Sequence, residues 1–167
     1  MKPKTLSYKS LAPADNPLRE LIRNFGLVER IMQPYFARFG ISGSQWGILR
    51  NLHRAEEEGL RGLRLSELSQ RLLIRPPSVT GLVDRLVRAG MVARDGSTAD
   101  LRVKEVQLTR NGRRLVERIL EGHQDHVDYL LAGLSDDDQR DLMRLLSKWR
   151  DHLENVLHGE APLRNII

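Results

Sequence analysis

Cysteine is absent from this chain of 167 residues, which excludes disulfides, thiol redox sensing and metal sites built on thiolates. No stretch approaches the ~18 consecutive apolar residues of a membrane-spanning helix. The amino terminus has lysines but lacks the apolar core of a signal peptide. We therefore expect a soluble, cytoplasmic protein. A chain of this length fits one domain with a real hydrophobic core.

Motifs of catalysis and cofactor binding are also missing. The sequence contains no phosphate-binding glycine loop, no HExxH pair and no Ser/His/Asp set, so we expect neither enzymatic activity nor a cofactor. His123 and His126 lie three residues apart on a predicted helix, a spacing that can hold a metal ion. Zinc normally takes three or four ligands, so we interpret both histidines as ordinary surface residues and predict no metal site.

Basic residues are concentrated in one part of the chain. Residues 61–118 contain 13 Lys or Arg against 6 Asp or Glu, a net charge of +7. The remainder carries 14 against 16, a net charge of −2. A localised basic surface is typical of nucleic-acid binding. An ordinary solvated surface is the alternative, because 29% of all residues are charged.

Two short helices separated by a turn are predicted within this basic segment. The first covers residues 65–73. The pair Pro76-Pro77 pushes each preceding residue out of the helical region, so the second helix begins close to Pro77, and Gly90 ends it. The residues predicted to face inward are Leu65, Leu68, Leu72 and Leu73 in the first helix and Val79, Leu82, Val83 and Leu86 in the second.

A β-hairpin follows the second helix. Its predicted strands are residues 91–94 and 102–108, and the segment 95–100 between them consists of turn-forming residues. The order helix, turn, helix, hairpin is that of a winged helix-turn-helix, here over residues 61–109. This module places one helix in the DNA major groove. The predicted fold is mainly α-helical with a small β-hairpin wing.

Long amphipathic helices bracket this core. The first begins with Asn16 as a capping residue and Pro17 in the first turn, and later helices begin at Thr109 and Ser135. Their apolar faces exceed what one small lobe can cover, which favours a two-fold dimer. The predicted organisation is a flexible basic arm at 1–14 and a single domain at 15–167, with dimerisation helices at 15–39 and 109–158.

The sequence resembles the MarR (multiple antibiotic resistance regulator) family at three motifs. Residues 40–49, GISGSQWGIL, are similar to the family's entry into its second helix. Residues 65–69 (LSELS), 79–86 (VTGLVDRL) and 90–92 (GMV) are similar to its DNA-reading unit. The run Asp100-Leu101-Arg102, with a glycine ten residues further on, is similar to its wing signature. The resemblance extends over roughly residues 17–157.

This resemblance implies a homodimeric transcription regulator, usually a repressor, that binds a palindromic operator in double-stranded DNA. It also implies release from DNA by a small, often aromatic, ligand near the junction of the dimerisation helices and the DNA-reading lobe. Phe36, Phe39, Trp46 and His53 fall near that junction. Because aromatic residues at helical spacing are usually core, we assign no effector-binding residue.

Two positions depart from the family pattern. Gly81 stands where the family often has arginine after the threonine of the reading helix, which removes a base or phosphate contact. An operator sequence therefore cannot be transferred from relatives. Val103 stands where the family often has a small residue after Arg102, which changes the base of the wing.

The resemblance assigns the wing contact to Arg102. A wing-tip arginine can enter the minor groove, where narrow A·T-rich tracts concentrate negative potential. Asp100, two residues earlier, is assigned the role of orienting Arg102 through an ion pair. An ordinary surface ion pair is the alternative interpretation of these two residues.

On the second helix of the core, Ser78, Thr80 and Arg85 are candidates for DNA contact, and Pro77 shapes the entry to the helix. Arginine reads guanine strongly when it reaches a base, whereas serine and threonine read bases weakly. Ser78 and Thr80 can equally serve to cap the helix. The candidates for phosphate contacts are Arg75, Arg94 and Lys104.

The sequence permits a second class of function. A winged helix can serve as an interaction or dimerisation module without specific DNA binding. That alternative predicts no salt-dependent binding to DNA. The concentration of basic charge around the wing argues against it, so the sequence favours a DNA-binding transcription regulator.

Overall fold

The computed structural model describes residues 16–95 and 105–159. They form two compact units, of which the first ends at His123 and the second begins at Gln124. The prediction of a mainly α-helical fold with a small β wing is confirmed. In chain order the elements are α1 (Pro17–Ala37), α2 (Gly43–Glu57), β1 (Leu63–Arg64), α3 (Leu65–Leu72), α4 (Pro76–Arg88), β2 (Val92–Asp95), β3 (Glu105–Leu108), α5 (Arg110–Leu131) and α6 (Asp136–Leu157).

Side chains at the helix starts fix the first two helices. The Asn16 side chain accepts a hydrogen bond from the N–H of Leu18 at 2.9 Å, and Pro17 takes the first position of α1, as predicted. Ser42 begins α2 through a capping box, in which its side chain and backbone exchange hydrogen bonds with Gln45. Both starts are therefore determined by residues within four positions of each other.

The turn after α3 differs from the prediction at Leu73. The expectation that Leu73 is buried is wrong, because its side chain is 86% exposed. Leu73 adopts a left-handed conformation with a φ of +53°. The N–H groups of Leu73 and Ile74 then bond to the carbonyls of Gln70 and Ser69, which closes the last turn of α3. This reversal of the chain takes residue 73 off the buried face on which Leu68 lies.

Helix α4 has the buried face that its spacing predicts. It begins at Pro76, one residue earlier than predicted, because proline suits helical positions at which no N–H is required. Gly90 follows the helix with a φ of +70°, a conformation that favours glycine. The buried residues of α4 are Val79, Leu82, Val83 and Leu86.

A third strand joins the predicted hairpin. The antiparallel sheet has the order β1-β3-β2, so β3 is central. β1 pairs Leu63 with Val106. Gly62 precedes β1, and a Cβ atom there would lie 2.6 Å from the carbonyl oxygen of Val106, so the pairing requires glycine. Val106 and Leu108 are buried on one face of the sheet.

The base of the hairpin is bonded to the start of α5. The backbone N–H of Thr109 donates to the carbonyl of Met91 at 3.1 Å, and its hydroxyl donates to the carbonyl of Gly90 at 2.7 Å. The same hydroxyl accepts the N–H of Gly112 at 3.0 Å, which caps α5 as predicted. These contacts connect the end of α4, the first residue before β2 and the first turn of α5.

The core of the first unit consists of aliphatic and aromatic side chains from both helices and sheet. Its buried aromatic residues are Tyr35, Phe36 and Trp46. The first half of α1, by contrast, buries none of its side chains, since only Met32 and later residues are enclosed. The fully buried aliphatic residues are Ile48, Leu49, Leu52, Leu63, Leu68, Val79, Val83, Leu86, Val92, Val106, Val116 and Ile119.

The second unit consists of the end of α5 and the whole of α6. Ser135 begins α6, as predicted, through a capping box with Asp138. Hydrogen bonds from Ser135 lower the pKa of the Asp138 carboxyl. No side chain of α6 is buried, although the helix carries Leu142, Leu145 and Leu153. In the described part of the chain no helix is long and apolar enough to span a bilayer.

Replacing Gly112 by alanine tests the contact between α5 and the hairpin base. A Cβ atom at residue 112 would lie 2.0 Å from the carbonyl oxygen of Met91, so the helix and the hairpin must separate. We expect Gly112→Ala to lower the free energy of unfolding by about 3 kcal/mol, at the upper end of overpacking effects. Urea denaturation followed by circular dichroism measures the change.

Gly26→Ala is the matched control for this substitution. Gly26 also lies within a helix, but an added Cβ atom meets nothing within 4 Å. Alanine there is expected to stabilise the helix by up to about 1 kcal/mol. Equal unfolding midpoints for Gly112→Ala and the unsubstituted protein would contradict the close approach.

Candidate functional site

An open groove of about 650 Å³ lies beside the start of α4. The amino end of α2, the turn after α3 and the outer side of α4 form its walls. Four residues predicted from the sequence line it, namely Arg75, Pro77, Ser78 and Arg85. Five further lining residues were not predicted, namely Ser44, Leu73, Ile74, Gly81 and Leu82.

The first turn of α4 presents side chains rather than backbone donors to this groove. Pro76 and Pro77 have no N–H, and the N–H groups of Ser78 and Val79 both bond to the carbonyl of Arg75. A helix start ordinarily binds anions through free N–H groups. Here those donors are absent or used, so an anion must be bound by side chains such as those of Arg75 and Ser78.

Ser78 and Thr80 differ in how their hydroxyl groups are used. No side chain caps α4, so the capping interpretation of Ser78 is not supported by its hydrogen bonds. Thr80 donates its hydroxyl proton to the carbonyl of Pro76 at 3.1 Å. The Thr80 oxygen can still accept a hydrogen bond, but Thr80 is not among the residues that line the groove.

Two arginines of the groove have no ionic partner within the described ranges. Arg75 is the residue before α4, and Arg85 lies in its last turn. Neither side chain forms an ion pair or hydrogen bond with another described residue. None of the residues that line the groove is acidic. The groove is therefore a positively charged surface.

Arg94 is paired, unlike Arg75 and Arg85. Its guanidinium lies 2.6 Å from a carboxylate oxygen of Asp84, and the two side chains are 32% and 46% exposed. Asp84 belongs to α4 and Arg94 to β2, so the pair connects the helix to the hairpin. The charge of Arg94 is neutralised by Asp84, which leaves less of it for a phosphate.

Two further arginines of the basic segment hold helices together. Arg113 of α5 makes a bidentate contact with Glu56 of α2, at 2.8–3.0 Å. Arg71 of α3 contacts Glu58 at 2.7 and 3.2 Å. The hydrogen bonds to Glu58 raise the pKa of Arg71, and those to Arg71 lower the pKa of the Glu58 carboxyl. These cations stabilise the fold.

Three predicted contact residues lie outside the described residues. Asp100, Arg102 and Lys104 belong to the segment 96–104, between β2 and β3. Their roles at the wing remain predictions. The described ends of the strands, Asp95 and Glu105, are paired with each other in the sheet.

An aromatic cluster fills the space between α1, α2 and α5. The rings of Phe36 and Trp46 stack at 5.8 Å, and that of His123 lies 5.4 Å from Trp46. The Tyr35 hydroxyl donates a hydrogen bond to the carbonyl of Ile119. Phe36 and Trp46 are buried, as expected for core residues.

His53 does not belong to this cluster. Its ring contacts Arg50 at 3.0 Å and Glu57 at 3.2 Å on the surface of α2. Within residues 16–95 and 105–159, no group of three His, Cys, Asp or Glu side chains has the arrangement of a metal site.

Comparison with known proteins identifies the family. The family model described as "MarR family" matches residues 39–102. The transcriptional repressor YetL of Bacillus subtilis is 30% identical over 119 residues, which cover 71% of this chain and 70% of YetL. This chain belongs to the MarR family. Members of that family are transcriptional regulators rather than enzymes.

Other MarR relatives agree with this result. The regulator PecS of Dickeya dadantii is 28% identical over 129 residues, which cover 77% of this chain and 76% of PecS. A crystal structure of mutant MarR from E. coli, in complex with operator DNA, superposes with a TM-score of 0.71 at 28% identity. That match covers 79% of this chain and 92% of the MarR chain. The winged helix-turn-helix interpretation is thus confirmed.

A double-mutant cycle on Asp84 and Arg94 measures how strongly α4 and the hairpin are coupled. Because both side chains are partly exposed, we expect a coupling free energy of about 0.2–1 kcal/mol from Asp84→Asn, Arg94→Gln and the double variant. Urea denaturation provides the three values. A coupling above about 2 kcal/mol would show that the pair behaves as a buried one.

Proposed function

We propose that this MarR-family protein is a dimeric, sequence-specific DNA-binding transcription regulator. In this proposal it is a repressor that a small, aromatic ligand releases from a palindromic operator. The observation that carries the proposal is the groove beside α4, which is lined by no acidic residue and holds two arginines without an ionic partner among the described residues. The MarR structure with operator DNA supports it, because a protein 28% identical to this chain binds DNA.

The residues of α4 and its start that the sequence predicts as contacts each have a part in DNA binding. Arg75 binds a phosphate at the entry of α4, where Pro77 sets the shape and backbone donors are lacking. Ser78 contributes a hydroxyl that can donate to a phosphate or a base. Arg85 is the base-reading residue, because a free guanidinium can bind guanine through two hydrogen bonds. Thr80 acts as an acceptor beside the groove.

The wing is proposed to contribute further contacts. Arg102 enters the minor groove, Asp100 orients it, and Lys104 contacts a phosphate. Arg94 reaches a phosphate only at the cost of its contact with Asp84. We therefore expect Arg94 to contribute less to affinity than Arg75.

Dimerisation explains the exposed apolar faces of the end helices. Ile22 and Phe25 of α1 are 64% and 63% exposed, and Leu145 of α6 is 54% exposed. Large exposed apolar surfaces are rare on monomers. A two-fold dimer through residues 15–39 and 109–158 covers them and sets two reading helices about 34 Å apart, one turn of DNA.

Repression and release by a ligand are the most detailed parts of the proposal. The name of YetL, a transcriptional repressor, supports repression. Release by an aromatic ligand rests on the family resemblance, and no residue is assigned to it. A regulator of genes acts where the DNA is, so the proposal includes the cytoplasm as its location.

Fluorescence anisotropy tests the DNA-binding function directly. The DNA upstream of the protein's own gene is compared with a scrambled duplex at about 150 mM salt. A preference of about 10³ supports a sequence-specific regulator. Equal weak binding to both duplexes, and to duplexes enriched from a randomised pool, favours the interaction module instead. Addition of substituted phenols and benzoates to the bound complex then tests release.

Arg75→Ala is expected to weaken binding to all duplexes. Removing one phosphate contact lowers affinity uniformly and reduces the slope of log K against log salt by about 1. The measurement is an anisotropy titration at several salt concentrations. Arg54→Ala is the control, since Arg54 lies in the last turn of α2, about 15 Å along the helix from Ser44. Equal slopes for both variants argue against a phosphate contact at Arg75.

Phe25→Glu is expected to dissociate the dimer. Glutamate at an exposed position leaves the fold of one chain unchanged but places a charge in the proposed apolar interface. Sedimentation velocity should give twice the chain mass of 19.1 kDa for the unsubstituted protein and the single mass for the variant. Leu73→Glu, at a position 86% exposed, should remain dimeric. A dimer for Phe25→Glu excludes Phe25 from the interface and contradicts the proposed position of the contact.

A further inference from the structure

Gly81 lies inside α4, at a position where the fold does not require a glycine. Glycine is among the least favourable residues inside a helix, because it has the most conformational freedom to lose. Its φ is not positive, since the positive-φ glycines within the described ranges are residues 40, 59, 90 and 159. An added Cβ atom at residue 81 meets only the Nη1 atom of Arg85, at 4.0 Å. Packing and backbone conformation therefore both permit a side chain there.

Three other glycines of the same unit are required by the fold. Gly112 and Gly62 lie against backbone carbonyls that a Cβ atom would approach to 2.0 and 2.6 Å. Gly90 has a φ of +70°. Gly81 shares none of these constraints, but it does line the positively charged groove. Gly81 differs from the equally unconstrained Gly26 of α1 in its position, because only Gly81 can affect what the groove binds.

Gly81 and Arg85 lie one helical turn apart and form neighbouring parts of the groove wall. The guanidinium of Arg85 extends back along α4 to the space above residue 81, since its Nη1 atom lies 4.0 Å from the position of the absent Cβ. A long side chain at residue 81 would occupy that space. The absent side chain thus allows the conformation of Arg85.

We infer that Gly81 is a specificity-determining residue of the reading helix. The inference rests on the proposed DNA-binding function. Without a side chain at residue 81, the space above that residue stays open for the guanidinium of Arg85. From there the guanidinium binds the O6 and N7 atoms of a guanine. Gly81 is a positioning residue, because it acts through Arg85.

The test begins with the preferred duplex, enriched by the unsubstituted protein from a randomised pool. Gly81→Leu is expected to lower affinity for that duplex at least about 10-fold, the loss of one base contact, while affinity for a scrambled duplex stays unchanged. Gly81→Ala is expected to have a smaller effect on binding. It should also raise the Tm by about 2–4 °C, because alanine stabilises the helix. Loss of folding would lower the Tm and the affinity for both duplexes. It cannot explain a loss of affinity for the preferred duplex alone.

A double-mutant cycle of Gly81→Leu and Arg85→Ala separates an action of Gly81 through Arg85 from a general effect on α4. If Gly81 acts through Arg85, Gly81→Leu causes no further loss of affinity in the Arg85→Ala background. Replacing the contacted guanine by 7-deazaguanine, which lacks the N7 acceptor, should weaken binding of the unsubstituted protein. It should leave Arg85→Ala unaffected.

Different outcomes overturn this inference and the proposed function. If the unsubstituted protein selects no duplex from the pool, sequence-specific DNA binding fails, and the inference fails with it. If it selects a duplex that Gly81→Leu binds equally well, only the inference about Gly81 is wrong. Additive losses from Gly81→Leu and Arg85→Ala also overturn it. Gly26→Ala, in a similarly open helical position, is the control for Tm and should not change DNA affinity.

Discussion

The hydrogen bonds between Thr109 and the backbone of Gly90 and Met91 hold helix α4 in relation to the rest of its unit. They connect the end of α4, the base of the hairpin and the first turn of α5. Gly112 permits this approach, because a larger residue would collide with the Met91 carbonyl. A shift of the first turn of α5 away from α4 or the hairpin would therefore break these bonds.

The arginines of the basic segment divide into two classes that net charge alone does not distinguish. Arg71, Arg94 and Arg113 each have a carboxylate partner and connect elements of the fold. Arg75 and Arg85 have none in the described residues and line the same groove. A count of cations along the chain overstates the charge available to a ligand, because part of it is used internally. Arg75 and Arg85 place part of the available charge at the first residue before α4 and in its last turn.

The helices and their starts could be predicted from the sequence because local chemistry determines them. Asn16, Thr109 and Ser135 cap helices through contacts within three residues. β1 could not be predicted, since two residues show no alternation and their pairing with β3 joins positions about 40 residues apart in the chain. The orientation of Leu73 depends on its left-handed turn, and Ser44 reaches the groove only through packing of α2 beside α4. The groove therefore depends on how separate elements pack and could not be predicted. Its arginines could be predicted as candidate contacts from the sequence.

The two prolines at the start of α4 have a consequence for the conformational entropy of binding. Their rings hold φ near −65°, so this end of the helix has its final conformation before any ligand arrives. A recognition surface that is ordered in advance loses less conformational entropy on association. Most of the cost of ordering is met during folding, and the encounter with a partner needs little more than correct alignment of rigid surfaces.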